Sequence, residues 1–132
     1  MEKICLDTDF IVALLRNRPE AVKKAEEYDA VKAEISTTSM NAFEIYLGAF
    51  RSRMAEKNVK QADDLLNAIK VLELDLESSR KASEILSRLS EGEPIDLRDA
   101  IIAGIALTNG CTLITRNTEP FKRITGLSIE TW

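Results

Sequence analysis

Three carboxylates stand where a predicted strand or loop gives way to a helical pattern: Asp7 in ICLDTDFIVALLR, Glu44 in STTSMNAFEIYLGAF and Asp99 in PIDLRDAIIAGIAL. A fourth polar group, Thr115, Asn117 and Glu119, follows the short apolar run CTLIT. Acids dispersed in this way have no reason to recur beside apolar segments unless the fold gathers them. In a parallel sheet the strand ends share one crevice, where open α/β sheets hold their ligands. Carboxylates gathered there repel one another unless they hold a cation or a proton. These residue types therefore point to a divalent-metal site, and to hydrolysis as its chemistry.

Composition removes the main competitors. The chain has no histidine, which excludes Ser-His-Asp and Cys-His catalysis, His-ligated zinc and histidine pH switching. Its two cysteines, Cys5 and Cys111, lie in or beside apolar runs and read as buried free thiols in a reducing cytoplasm. A net charge of −4 argues against a basic nucleic-acid coat but not against a nuclease, because bound metal offsets part of a site's negative charge. Asp7 and Asp9 interrupt what would be a signal-peptide core, and the longest apolar stretch, AIIAGIAL, is far short of a membrane span. A cytoplasmic protein with no membrane association is expected.

The elements that must position the acids follow from periodicity. At 132 residues with 45% apolar and 30% charged residues, the chain reads as one domain, 1–132, able to bury roughly two-thirds of its unfolded surface. Strands are expected at 3–7, 34–38, 71–75 and 111–115, with LSIET as a possible edge strand. Helices are expected at about 9–16 and 19–29, the second opening on Pro19. Another follows the second strand, with Ser39 or Asn41 as N-cap and a stripe of Phe43, Tyr46, Leu47, Phe50 and Met54 directed to the core, part of which could instead cover a partner helix or a second subunit. Ala62, Leu65, Leu66 and Ile69 form a further stripe, as do Ala82, Ile85, Leu86 and Leu89. A helix over 96–109 is apolar nearly all round, and a short one covers about 118–124. Strands alternating with helices, with no hairpin signal, give an α/β fold with a parallel sheet.

Each acid also has a plainer reading. Asp7 could start a turn, Asp96 and Asp99 could be N-cap and N3 residues, and Asn41 with Glu44 fits a capping box. Taken jointly these readings leave the recurrence of acids at strand-to-helix junctions unexplained. If residues 7–9 stay extended, Asp7 and Asp9 share a face and Thr8 points away.

In its LDTD start, its Glu44 helix, its DAIIAGIAL helix and its LITRNTEPFKRITGLSIETW ending, the chain resembles the PIN-domain family, specifically the toxin ribonucleases of toxin–antitoxin pairs. The resemblance covers nearly the full length. It implies a three-layer α/β/α sandwich with a central, mainly parallel sheet, Mg²⁺- or Mn²⁺-dependent RNA cleavage, and a small antitoxin partner. A homodimer is also expected. Asp7, Glu44 and Asp99 match the family's three most constant acids and become the catalytic and metal-binding candidates. The fourth acidic position departs from the pattern: Asn117 and Pro120 stand where relatives carry an acid, and Glu119 is one place off. Asn117 and Glu119 therefore join the metal-binding candidates, with Asp9 or Asp96 as other sources of the missing carboxylate. Hard cations take oxygen ligands and keep several waters, and a bound water of lowered pKa would attack the phosphodiester. Without histidine the carboxylates must position or deprotonate that water. Arg116, Thr115 and Arg98 are the substrate-binding candidates, with Arg16, Lys122 and Arg123 as further basic residues near the motifs.

Two other readings compete. A haloacid-dehalogenase-type phosphatase would use Asp7 as a nucleophile with Asp9 and Thr115 in support, but lacks a convincing phosphate-binding lysine. A phosphoacceptor receiver domain would hold Mg²⁺ at Asp7 and Asp9 and accept phosphate at Asp75, leaving Glu44 and Asp99 unexplained.

Overall fold

Alternation along the first strand separates the two sides of the molecule. In β1 (Lys3–Leu6) Ile4 and Leu6 enter one apolar cluster and Cys5 the other, as period-2 geometry requires. The computed structural model describes residues 2–89 and 94–132. The other strands there are β2 (Glu34–Thr38), β3 (Lys70–Leu72), β4 (Thr112–Ile114) and β5 (Ile129–Glu130). They pair in the order β3-β2-β1-β4-β5, and every pairing is parallel.

Helices cover both faces. One side carries α1 (Thr8–Leu15), α2 (Pro19–Ala30), α3 (Ser39–Arg51) and α4 (Ala55–Ala68), whose Phe10, Ile11, Tyr28, Ile45 and Leu66 pack with Ile4, Leu6 and Ile114. The other carries α5 (Leu76–Arg88), α6 (Leu97–Thr108) and α7 (Thr118–Phe121), whose Ile85, Ile102, Ile105 and Phe121 pack with Cys5 and Leu113. The fold is the expected three-layer α/β/α sandwich. The order reverses beside β1: β2 lies on one flank and β4 on the other. The crevice beyond the carboxyl ends of β1 and β4 is thus the switch point at which such sheets hold ligands. Among the described residues no helix is long and apolar enough to cross a membrane.

Several expectations need correction. The helix after β2 stops at Arg51, and Met54 is the N-cap position of α4. Phe43 and Phe50 of its stripe face out, 61% and 65% exposed, Tyr46 is half-buried against the core, and Asn41, Ile45 and Ala49 face in. Phe43 lies two residues, or about 200° of helix, from Asn41, so burying Asn41 expels Phe43. The N-cap of α3 is Thr38, whose hydroxyl accepts the Asn41 N–H at 3.1 Å; Asn41 and Glu44 form no capping box. The third strand ends at Leu72, and Asp75 caps α5 in a reciprocal box with Ser78. Its Oδ1 accepts from the Ser78 N–H and hydroxyl, each at 2.8 Å, so the receiver reading loses its phosphoacceptor. Both cysteines are free and buried. Burial pushes both thiols upward, so they stay protonated and unreactive.

Two glycines inside helices give opposite expectations for one substitution. A Cβ on Gly104 of α6 would meet Ala82 N and Ser78 O of α5, each at 2.8 Å, whereas a Cβ on Gly48 of α3 would meet nothing within 4 Å. Alanine is favoured over glycine in a helix by about 1 kcal/mol, but overpacking against backbone costs about 1–3 kcal/mol. Gly48→Ala should therefore raise the urea midpoint and Gly104→Ala should lower it. The same sign for both would mean that α5 and α6 are not in this close contact.

Candidate active site

The first residue beyond β1 is an acid with almost no water. Asp7 is 2% exposed, and a buried carboxylate is tolerable only with its lone pairs satisfied. Its Oδ1 accepts from Thr8 N–H and Asn41 Nδ2, both at 2.9 Å, and from Arg98 Nη2 at 3.1 Å. Its Oδ2 accepts from the Thr115 hydroxyl at 2.7 Å. The backbone assists, because Asp7 is extended at φ −76°, ψ 164° and is the N-cap of α1.

Glu44 and Asp99 complete the group from two other helices. Glu44 Oε1 accepts from the Thr8 hydroxyl at 2.7 Å and Oε2 from Arg98 Nε at 2.5 Å. Asp99 is 5% exposed, and its Oδ1 accepts from Arg98 Nη1 at 2.5 Å. Burial raises the Asp99 carboxyl above its usual range, with the Arg98 hydrogen bond and charge opposing. Asn41 is locked in turn, since its Oδ1 accepts from the Thr38 hydroxyl at 2.6 Å while its Nδ2 also reaches Thr8 Oγ1 at 2.9 Å.

Asp9 supplies a fourth acid. Its Oδ2 accepts the Arg116 N–H at 2.8 Å and lies 3.4 Å from the Thr115 hydroxyl. Its Oδ1 is buried and makes no hydrogen bond. Burial, with the charge of Asp7 adding to it, holds the Asp9 carboxyl above the usual carboxylate range, against the Arg116 N–H.

Asp7, Asp9 and Asp99 open onto a cleft of about 720 Å³ that Arg16, Arg18, Asn117 and Trp132 also line, whereas Glu44 lines a separate cavity beside Val12 and Arg16. Arg116 lies across it, its guanidinium carbon 3.6 Å from the centre of the Trp132 ring and its Nε donating to Trp132 O at 2.7 Å. Its Nη2 also pairs with Glu20 at 3.7 Å.

The structure thus brings together Asp7, Glu44, Asp99 and Asp9, and it departs from expectation elsewhere. Glu119 does not join them. Its side chain, 80% exposed, pairs with Lys122 at 2.7 Å one turn along α7. Asn117 lines the cleft, and its backbone N–H donates to the Thr115 hydroxyl at 3.0 Å. Thr115 is fully buried and spends its hydroxyl on Asp7, so it orients an acid rather than meeting substrate. Arg98 is committed to the acids rather than free for phosphate. Thr8 points inward, because the chain turns helical at Thr8 instead of staying extended. Asn41 and Trp132 went unrecognised as site residues; an asparagine three places before Glu44 was the one available signal for the first.

The donor set suits a hard cation: it consists of carboxylate oxygens, one of them a buried acceptor with no donor. Among the described residues, however, no three acids converge closely enough to hold a metal ion as they stand. The Arg98 guanidinium fills the space between Asp7, Glu44 and Asp99.

Comparison with known proteins agrees with this geometry. The family model of the PIN domain matches residues 4–127. The tRNA(fMet)-specific endonuclease VapC of Shigella flexneri is 30% identical across all of this chain and 99% of its own length. Among solved structures, DNA-bound VapBC from Salmonella typhimurium superposes with a TM-score of 0.88 at 28% identity, covering 100% of this chain and 99% of its counterpart. VapBC2 from Rickettsia felis, bound to a promoter DNA fragment, gives 0.88 at 26% identity, with 98% of each chain covered. With its acids gathered at the switch point of a parallel sheet and these likenesses running its full length, the chain belongs to the PIN domain family and, within it, to the VapC ribonucleases.

Proposed function

We propose that this protein is a metal-dependent endoribonuclease, using Mg²⁺ or Mn²⁺, and the toxin of a toxin–antitoxin pair. The observation that carries the reading is the convergence of Asp7, Glu44 and Asp99 on one side chain, Arg98, beside an open cleft that Asp7, Arg98 and Asp99 line. Asp7, Glu44 and Asp99 would hold the metal ion, with Asp9 Oδ1 as a further oxygen. When bound, a divalent cation supplies Lewis acidity, lowering the pKa of a water and offsetting charge on the phosphoryl oxygens. The chain's own residues set the stage for that chemistry. Thr115, Asn41 and Thr8 hold the Asp7 carboxylate in its orientation. Arg16, Arg18 and Arg116 bring positive charge to the cleft that the acids line, where RNA phosphates would lie. The Trp132 ring, with Arg116 stacked on it, offers a surface for an unpaired base.

The phosphatase reading fares worse. It gives Glu44 no role, although Glu44 and Asp7 pair with the same Arg98 guanidinium. For the antitoxin, we propose a segment carrying arginine or lysine that enters the cleft and pairs with the acids. That the three acids accommodate a guanidinium here supports this. Phe43 and Phe50 supply apolar surface of the kind an antitoxin or a second copy in a homodimer would cover.

Three outcomes test the proposal. Asp7→Ala, Glu44→Ala and Asp99→Ala should each lose more metal-dependent cleavage of single-stranded RNA than the roughly 10–100-fold cost of losing an outer partner, with far-ultraviolet spectra intact. Thr115→Val should fall within that range and Glu119→Ala should cleave as wild type. A Glu119→Ala loss equal to that of Asp7→Ala would place the acids wrongly. Separately, Mg²⁺ or Mn²⁺ at about 100 times its Kd should stabilise the fold by roughly 2.7 kcal/mol. An equal gain in Asp7→Asn/Asp99→Asn protein would remove the metal site. In cells, the wild-type chain expressed alone should arrest growth, the Asp7→Ala form should not, and the adjacent antitoxin gene should relieve the arrest. Harmless overexpression of folded wild-type protein counts against the toxin role.

A further inference from the structure

Arg98 occupies a position that its own helix disfavours. It is the second residue of α6, and a helix N-terminus carries partial positive charge that favours anions. What holds it there is the site: Nε, Nη1 and Nη2 each donate to a different acid, Glu44, Asp99 and Asp7. Burial works against the guanidinium's charge, yet the hydrogen bond to Glu44 and the charge of Asp7 outweigh it, so the pKa rises and Arg98 stays cationic. The side chain is not sealed in. It is 26% exposed and lines the cleft, which leaves it a route outward.

A guanidinium and a small metal ion make incompatible demands on these oxygens. The fork holds the carboxylates apart, one on each nitrogen, whereas Mg²⁺ needs its oxygens at about 2.0–2.1 Å around a single point. The carboxylates cannot serve both at once. Exchange replaces one positive charge by two among four acids, Asp7, Asp9, Glu44 and Asp99, that Arg98 alone leaves under-neutralised.

We propose that Arg98 is a built-in competitor for the divalent cation: it takes the cation's place in the metal-free protein and must swing out into the cleft before the cation binds. The inference rests on the metal-dependent reading above, because it needs these acids to be the cation's ligands. It goes further in assigning to this arginine the control of when the site loads. It also reverses the ordinary expectation for an arginine that merely braces a site, whose removal would loosen the acids and weaken metal binding.

The test is calorimetric titration of Mn²⁺ into the metal-free full chain as wild type, Arg98→Gln and Arg98→Lys. Arg98→Gln should bind at least tenfold tighter, with Arg98→Lys between the two. Without metal, Arg98→Gln should melt below wild type, and Mn²⁺ should close the gap. Equal or weaker binding by Arg98→Gln, with binding still lost in Asp7→Asn/Asp99→Asn, would overturn the competitor role and leave the metal site standing. Wild-type binding by Asp7→Asn/Asp99→Asn would overturn both. Should Arg98→Gln not fold without metal, the wild-type protein decides by nitrogen NMR. The Arg98 Nε–H signal, assigned by its loss in Arg98→Lys, should leave its metal-free position as Mg²⁺ saturates; a signal unmoved at saturation overturns the proposal.

Discussion

A buried carboxylate at the end of the central strand is the constraint around which this molecule is arranged. Taking an ionised acid out of water costs several kcal/mol unless hydrogen bonds and charge replace the water. Asp7 draws those replacements from four parts of the chain: Thr8 at the start of α1, Asn41 on α3, Arg98 on α6 and Thr115 beyond β4. Each donor sits on an element packed against β1 or beside it, so one side chain ties both helical layers to the centre of the sheet. Stability and chemistry are therefore not separable here. The interactions that make the buried charge tolerable are the ones that place it at the mouth of the cleft.

That requirement also overrides hydrophobic patterning. Helix α3 contains a stripe of large apolar residues at core-like spacing, yet it turns Asn41 inward and leaves Phe43 and Phe50 in water. A polar network in a low-dielectric interior costs most when it is half satisfied. Rotating α3 to bury Phe43 would withdraw Asn41 from Asp7 and Glu44 from Thr8 and Arg98 together. Leaving two aromatic rings exposed costs less when a partner chain is available to cover them.

The parts of this arrangement that were legible in the sequence are local. Short apolar runs with intervening helical stripes identify the parallel α/β class, because each run announces itself over a few residues. Asp7, Glu44 and Asp99 were legible because they sit at such junctions in an order that resembles the family. The roles of Asn41 and Arg98 were not, since their partner Asp7 lies 34 and 91 residues away and nothing local marks the pairing. The orientation of Thr8 is not legible for a related reason. Whether it faces the acids depends on the backbone turning helical one residue after β1, a boundary that periodicity does not locate. Glu119 shows the converse error: it stands near the expected place in the sequence, but α7 turns it towards Lys122 and water. The acid found nearest the group is Asp9, which lies two residues along the chain from Asp7 and is brought to Thr115 by the pairing of β1 with β4.

The charge balance of the site then explains why it stays responsive rather than inert. A site made neutral by its own residues would gain little from a metal ion or a basic partner. Here one guanidinium faces Asp7, Glu44 and Asp99, while Asp9 keeps a buried oxygen without a donor. The three bonds to Arg98 hold Asp7, Glu44 and Asp99 together against their mutual repulsion. On the proposed reading, Arg98, a divalent ion and an antitoxin's basic side chain all draw on the same few oxygens, so occupancy by one opposes the others. Mutual exclusion of this kind follows from the number of lone pairs available, and it requires no large movement of the fold. On that reading a change confined to one arginine side chain would be enough to pass the acids from holding the structure together to holding a catalytic ion.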